Sequence, residues 1–352
     1  MTERPISWDE IFEKLTEKQN LSDLQINWAM SQILDGLANN DQIKNFLLLL
    51  KAKGEKPSEV RALVDVMYQR GIAINIAERA VDIVGTGGDG ASTINISTTA
   101  AIITTAAGAR TIKHGNRAAS SKSGAADLLE ALGIDISLGA EQIQECVRRI
   151  GIGFAFAPVF HPAMKNAASA RRELATPTVF NILGPLANPA KPKAVAIGVA
   201  RAELLELVAT VLAERGCEGF IFRGDDGLDE ISLSTTSTIF QINNGEITRH
   251  IFDPSELGLE RVGIEELRGG SPGENADITR AIFAGRGGAY RQAVLLNAAA
   301  AIAAFKADFH LGLTQQFANG YTLAKQAVDS GAAAQLVERW ANLSTELAKS
   351  SL

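Results

Sequence analysis

Sulfur chemistry has little to work with in this chain. Its only two cysteines, Cys146 and Cys217, lie far apart with no CxxC or Cys/His spacing. That argues against a disulfide framework and a zinc site, and makes a reduced cytosolic compartment the expectation. Long apolar runs are also missing. The longest, around residues 46–50 and 293–305, are too short or too interrupted to span a bilayer. Met1-Thr2-Glu3-Arg4-Pro5 runs straight into the charged segment 8–14, with no signal peptide apparent. A soluble, cytoplasmic protein without a membrane partner is expected. Nor is there a broad basic face: a net charge of −6 and a pI near 5.4 speak against nucleic acid as a partner. His161, His250 and His310 are isolated and receive no role. No internal repeat or low-complexity linker is visible.

What is present is enough chain, 352 residues, for one large domain and a smaller one. Residues 1–78 carry apolar positions at helical spacing only: Trp8, Ile11, Phe12 and Leu15; then Leu21, Leu24, Trp28, Ile33, Leu34 and Leu37; then Ile43, Phe46, Leu47 and Leu50; then Val60, Leu63, Val64, Met67 and Tyr68. Ser22, Asp41 and Ser58 stand where N-caps belong, and Gly36, Gly54 and Gly71 near the ends. From Val81 the pattern changes to β-prone runs (81–84, 111–113, 153–157, 194–199 and 219–223) alternating with helical stretches (97–107, 125–132, 141–150 and 203–215). Residues 239–242 and 247–251, joined by Asn243-Asn244-Gly245-Glu246, read as an antiparallel hairpin. The alanine-rich end, from Asn275, is helical. The fold class is therefore α/β: a small N-terminal helical domain, with helices from about 162–190 as candidates to join it, and an α/β domain over 79–352. Its sheet is mostly parallel with an antiparallel addition.

Three segments carry chemistry. Gly85-Thr86-Gly87-Gly88-Asp89-Gly90 follows a strand. It satisfies GxGxxG, but the acidic residue a dinucleotide fold needs about 20 positions later is absent. A plain tight turn and a phosphate-binding loop both remain open. Thr93, Asn95, Ser97 and Thr98 place polar groups at the start of the next helix. They can cap it, hydrogen-bond a phosphate or ligate magnesium. Between Asp89 and Asp127 there is no carboxylate, while Arg110, Lys113, His114, Arg117 and Lys122 fall inside. The run from Lys113 to Gly124 interleaves cations with glycine, alanine and serine, as a pocket for several phosphates would. Asp225-Asp226-Gly227-Leu228-Asp229-Glu230 closes a strand and reads equally as an acidic surface turn or a magnesium site. The segment 164–174 has cationic ends that suit a carboxylate substrate, or a solvated helix face. Residues 181–189 read as a kinked, rigid connection.

Taken in order, Gly85-Thr86-Gly87-Gly88-Asp89, Asn95-Ile96-Ser97-Thr98, Lys113-His114-Gly115-Asn116-Arg117 with Ser120-Ser121-Lys122-Ser123-Gly124, Arg171-Arg172-Glu173-Leu174, Asn181-Ile182-Leu183-Gly184-Pro185 and Asp226-Gly227-Leu228-Asp229-Glu230 resemble the anthranilate phosphoribosyltransferase family. That family shares its fold with pyrimidine nucleoside phosphorylases. The resemblance covers residues 81–230, and the helical ends are compatible with it. It implies a homodimer that joins phosphoribosyl pyrophosphate to anthranilate in tryptophan biosynthesis, with Mg2+ as cofactor. It also implies that Gly85, Gly88, Asp89, Thr93, Asn95, Ile96, Ser97, Thr98, Lys113, His114, Gly115, Asn116, Arg117, Ala118, Ala119, Ser120, Ser121 and Ala125 surround phosphoribosyl pyrophosphate. By the same resemblance Ser97, Asp229 and Glu230 serve the metal, while Gly85, Asn116 and Arg171 receive anthranilate. Lys113 and Arg117 would then stabilise the leaving pyrophosphate, with no acid–base residue assigned. The chain departs from the family pattern at Ala118 and Ala125, where serine is expected. It departs again at Ala175-Thr176-Pro177, where a glycine and an arginine are common. The alternatives are a pyrimidine nucleoside phosphorylase and a non-catalytic relative that binds nucleic acid.

Overall fold

The computed structural model describes residues 5–118 and 121–350; Ala119 and Ser120 lie outside them. Four helices come first: α1 (Trp8–Thr16), α2 (Asp23–Leu34), α3 (Asn40–Lys53) and α4 (Pro57–Arg70). Ser22 caps α2 as expected and forms a capping box with Gln25. The next two caps fall elsewhere. Asn39, not Asp41, caps α3 through a capping box with Gln42. Lys56, not Ser58, is the N-cap of α4, which starts at Pro57 because proline suits a first turn whose N–H has no intrahelical partner. Trp8, Trp28 and Phe46 pack edge to face at the centre of this bundle, with centroids 5.2 and 6.0 Å from Trp8.

The chain then weaves a sheet. β1 (Val81–Gly85), β2 (Thr111–Gly115), β3 (Ile152–Phe156), β4 (Ala194–Gly198) and β5 (Glu218–Gly224) are parallel. β6 (Ser237–Asn243) and β7 (Glu246–Phe252) add the antiparallel hairpin. Its two-residue turn has Asn244 and Gly245 at φ 51° and 82°, the left-handed pair that a twisted hairpin requires. The strand order is β3-β2-β1-β4-β5-β6-β7. The direction of winding therefore reverses between β1 and β4, and ligands of such sheets sit beyond the strand ends at that point.

Between the strands run α5 (Ile96–Ala106), α6 (Ala125–Ala131), α7 (Ala140–Ile150), the short α8 (Ala157–Phe160), α9 (Ala168–Leu174), α10 (Phe180–Leu186) and α11 (Ala202–Glu214). α12 (Pro272–Phe283), α13 (Ala289–Lys306), α14 (Leu313–Asp329) and α15 (Ala332–Lys349) complete the chain. One face of the sheet forms a core with α5, α6, α7 and α12–α15. The alanines of α13 let α14 approach so closely that a Cβ on Gly320 would lie 2.4 Å from the Ala299 carbonyl oxygen. The other face shares a second core with α10, α11 and the N-terminal bundle. No helix among the described residues is long and apolar enough to cross a membrane.

Candidate active site

The glycine turn is shaped by a carboxylate that arrives from the far side of the sequence. Asp229 Oδ2 accepts the Gly87 N–H at 2.7 Å. A Cβ on Gly85 would stand 2.1 Å from that oxygen, and one on Gly198 would stand 1.6 Å from the Asp229 carbonyl oxygen. The ends of β1 and β4 are glycine because the Asp229 backbone and side chain occupy the space. Gly87 and Gly88 turn the chain at φ 70° and 85°. Gly85→Ala should therefore displace Asp229 and cut turnover by about a hundredfold, measured by steady-state kinetics. Near-normal turnover would show that this close packing is dispensable.

Asp229 and Glu230 are 8% and 7% exposed. Burial, then the charge of Asp89, raises the Asp229 carboxyl to about 7. Burial, then the charge of Asp229, lifts Glu230 well above its ordinary range. The buried cation beside them is Lys113, 2% exposed, whose Nζ donates to the Ile83 carbonyl oxygen at 2.6 Å and to Ser97 Oγ at 3.1 Å. Burial lowers its pKa, against the pull of Asp82, Glu230 and Asp229. Asp82 completes this interior: burial raises it to about 6, against Lys113 and the Asn188 amide that donates to it at 2.8 Å. Among the described residues no three His, Cys, Asp or Glu side chains form a ready chelate. A buried acid pair with raised pKa values and a hydroxyl nearby instead fits a magnesium ion that takes its remaining oxygens from phosphates and water.

α5 begins beside these groups. Its N-cap, Asn95, makes no side-chain bond to the helix. The Asn95 amide donates instead to the Ser123 carbonyl oxygen at 2.9 Å, and its Oδ1 accepts from Ser123 Oγ and Asn275. Its N-cap side chain thus leaves the N–H groups of the helix start to other acceptors, of which the Glu230 carboxylate, facing the Ser97 N–H, is one. Not every residue named there offers a group. Ile96 is buried in the core and its N–H donates to the Ile94 carbonyl oxygen. Ser97 and Thr98 are the ones at the first turn of α5. Thr93 bridges to Arg268 at its threshold.

The loop after β2 is less open than its linear charge implies. Asp127 gathers both ends of it, accepting the Ala118 N–H at 3.0 Å and the Gly124 N–H at 2.8 Å. Burial opposes this, but those bonds and Arg117 hold Asp127 below the usual carboxylate range. Arg117 is taken up by Asp127 and Glu130, Arg110 faces Glu78 at the opposite end of β2, and Lys113 is buried. The stretch free of carboxylates in sequence is therefore not free of them in space. Gly115 packs on Phe154 and Ala125. Asn116 is exposed, with its Oδ1 on the Arg117 N–H. Ser121 is exposed and bonds the Ser123 carbonyl oxygen. Asp89 Oδ1 accepts the Ala91 N–H.

His114 points away from this loop. Its Nδ1 lies 2.8 Å from the Gly184 carbonyl oxygen on α10, so that nitrogen carries the proton. Burial, then His161, lowers its pKa to about 3, leaving a neutral ring whose Nε2 has no partner among the described residues. His161 is not isolated: it stacks edge to face on His114 at 5.2 Å and bonds the Ala187 carbonyl oxygen at 2.9 Å. Its ring also explains Gly71, where a Cβ would come within 2.9 Å of it. Arg171 lies over the Phe180 ring at the start of α10, 6.0 Å from its centroid, with no hydrogen bond or ion pair among the described residues. α10 thus connects the free guanidinium to the His114 end of β2. Asp82, Asp127, Asn188 and His161 have no place among the site residues expected from sequence. Only Asp127 had a signal, at the third position of a helix that opens with Gly124.

Known proteins share this architecture. Residues 9–71 match the glycosyl transferase family helical bundle domain, and residues 77–334 the glycosyl transferase family a/b domain. Anthranilate phosphoribosyltransferase of Rhodococcus jostii is 50% identical over 98% of this chain and 95% of its own. The crystal structure of anthranilate phosphoribosyltransferase from Thermus thermophilus superposes with a TM-score of 0.88 at 36% identity, covering 95% of this chain and 99% of that one. That of the Saccharomyces cerevisiae enzyme in complex with phosphoribosyl pyrophosphate and Mg has a TM-score of 0.87 at 27% identity, covering 96% and 98%. With half its residues identical along nearly its whole length, and the same fold, the chain belongs to the anthranilate phosphoribosyltransferase family.

Proposed function

We propose that this chain transfers the 5-phosphoribosyl group of phosphoribosyl pyrophosphate to the amine of anthranilate, giving N-(5-phosphoribosyl)anthranilate and pyrophosphate, in tryptophan biosynthesis. One observation carries the reading. The buried Asp229–Glu230 pair faces both the glycine turn, through the Gly87 N–H, and the start of α5, through the Ser97 N–H, so acid and anion-binding backbone meet at the strand ends. The two carboxylates repel each other, and a polyphosphate held on that backbone would repel both unless a divalent cation joined them.

The residues then divide the work. Ser97, Asp229 and Glu230 hold Mg2+, which when bound neutralises charge on the pyrophosphate. The N–H groups around Gly88, the start of α5, and Lys113 with Ser97 stabilise the charge that grows on the leaving oxygen as the C1 bond loosens. Gly85, Asp89, Thr93, Thr98, Asn116 and Ser121 line the sugar and its phosphates. The amine of anthranilate is uncharged near neutral pH, so positioning it beneath C1 replaces a strong general base. Arg171 receives its carboxylate with paired N–H donors. Residues 162–190 move with the helical bundle, a grouping supported by Asn166 on the Leu34 carbonyl oxygen and Lys51 on the Pro177 carbonyl oxygen. Exposed Leu24, Leu37 and Leu48 on that bundle support a second copy as its partner, in a cytoplasmic homodimer.

Loss of anthranilate fluorescence should require both phosphoribosyl pyrophosphate and Mg2+. Turnover of thymidine with phosphate in its place would overturn the reading. Arg171→Ala should raise KM for anthranilate by about 10- to 100-fold, the worth of a charge-assisted hydrogen bond, and leave KM for phosphoribosyl pyrophosphate unchanged. Equal effects on both would remove Arg171 from the anthranilate site.

A further inference from the structure

α9, the seven-residue helix that carries Arg171, has nothing of its own to hold it in place. Its N-cap, Ala167, makes no side-chain bond. Its C-cap, Ala175, sits at φ 45°, a left-handed conformation that costs a residue with a Cβ. A helix this short is unstable by itself, and Thr176-Pro177 follows at once. Its position must come from what it touches.

It buries Ala170 in the bundle core, and among the described residues its polar bonds to the rest of the bundle all go to α3. Lys44 and Lys51 stand seven residues apart, two turns along one face of that helix. Lys44 Nζ is 2.8 Å from Glu173 Oε2, and the Asn40 amide donates to Glu173 Oε1 at 2.8 Å. Ser169 Oγ adds a bond to the same carboxylate. In the turn just beyond that end of α9, Lys51 Nζ donates to the Pro177 carbonyl oxygen at 2.8 Å and to Thr176 Oγ1 at 3.2 Å. Lys51 forms no ion pair among the described residues, so its ammonium is committed to this turn. Phe180, three residues beyond Pro177, is the ring under Arg171.

We infer that Lys51 and Glu173 are positioning residues for the amine acceptor: α3 clasps the C-terminal end of α9 and the turn that follows it, two to six residues beyond Arg171, and so sets where the Arg171 guanidinium meets a carboxylate substrate. The inference rests on the proposed role of Arg171. A clasp of exposed polar bonds adds little to global stability. Its contribution is to geometry, where a displacement of about 1 Å can cost two orders of magnitude in rate. A lysine at position 51 also compensates for the left-handed Ala175, since its ammonium holds the turn that a glycine would form without strain.

The test compares Lys51→Met, Lys51→Arg, Thr176→Val, Glu173→Gln, Arg171→Ala and the double variant Lys51→Met/Arg171→Ala. Each is assayed for KM of both substrates, for kcat and for melting temperature. Lys51→Met and Glu173→Gln should each raise KM for anthranilate about fivefold or more, with KM for phosphoribosyl pyrophosphate unchanged. Lys51→Arg should restore most of the loss. In the Arg171→Ala background Lys51→Met should add nothing, because the clasp then has no guanidinium to place. If Lys51→Met melts at the assay temperature, Thr176→Val and Glu173→Gln carry the same readout. Arg171→Ala raising KM for anthranilate while the clasp variants leave it unchanged would overturn the inference alone. Full additivity in the double variant would do the same by assigning Lys51 to stability. No effect from Arg171→Ala would overturn the reading of the anthranilate site beneath it.

Discussion

Replacing Lys113 by methionine should lower kcat/KM by about a thousandfold, the loss of roughly 4 kcal/mol of transition-state stabilisation at a preorganised charge. It should also weaken the fold, which linear sequence gives no reason to expect. Lys113 is 2% exposed and bonds the Ile83 carbonyl oxygen and Ser97 Oγ, at a point that faces Asp82, Asp229 and Glu230. Without its ammonium three buried carboxyls have no buried cation beside them. Breaking a buried pair by removing one partner costs about 3–5 kcal/mol. The loss should be greatest at pH 8 and smaller at pH 5, where the carboxyls regain protons. Melting curves at the two pH values, alongside kinetics, separate the two effects. Wild-type turnover would sink the assignment of Lys113 to the leaving group. A melting temperature equal to wild type at pH 8 would sink the account of its burial.

Asp229→Asn carries the second large effect, in stability and activity with opposite signs. The carboxyl is raised to about 7 by burial and by Asp89, whereas an unfolded chain ionises near 4. Between those values the folded state keeps a proton that the unfolded state has lost. Without substrate or metal, stability should therefore fall as pH rises toward 7 and level off above it. Asparagine cannot ionise, so Asp229→Asn should flatten that slope and melt higher than wild type at pH 8. Its turnover should drop by about a hundredfold or more, and its response to Mg2+ should disappear. Mg2+ with phosphoribosyl pyrophosphate selects the ionised pair, so apparent affinity should rise with pH toward 7 as protons are released. Differential scanning fluorimetry from pH 5 to 8, with and without both ligands, reads these outcomes. A pH-independent wild-type melting temperature, or an Asp229→Asn variant that still needs Mg2+, would remove Asp229 from the metal site.

The elements were legible because their signals are local. The 3.6-residue spacing around Phe46 or Val64 and the Asn244-Gly245 turn each lie within a few residues of one another. Strand ends were placed to within one or two residues. Helix starts were harder where two candidate caps compete, as Asn39 does with Asp41. The glycine turn, the start of α5 and the Asp229–Glu230 pair were recognised from their residue types. Their mutual arrangement was not, because Gly87 and Asp229 meet across 142 positions and nothing in either segment announces the other.

From residue types and spacing alone came the alternation of helix and strand, the family resemblance and the residues about which the chemistry turns. Tertiary structure alone decided what each charge faces. Arg117 went to Asp127 and Glu130, Lys113 went inside, His114 turned to α10 and met His161, and Arg171 kept its guanidinium free on a helix held by Lys44 and Lys51. The physical reason is that periodicity reports a backbone's local geometry, whereas a charge responds to the distance of every other charge. Those distances exist only once the sheet has brought its strand ends together.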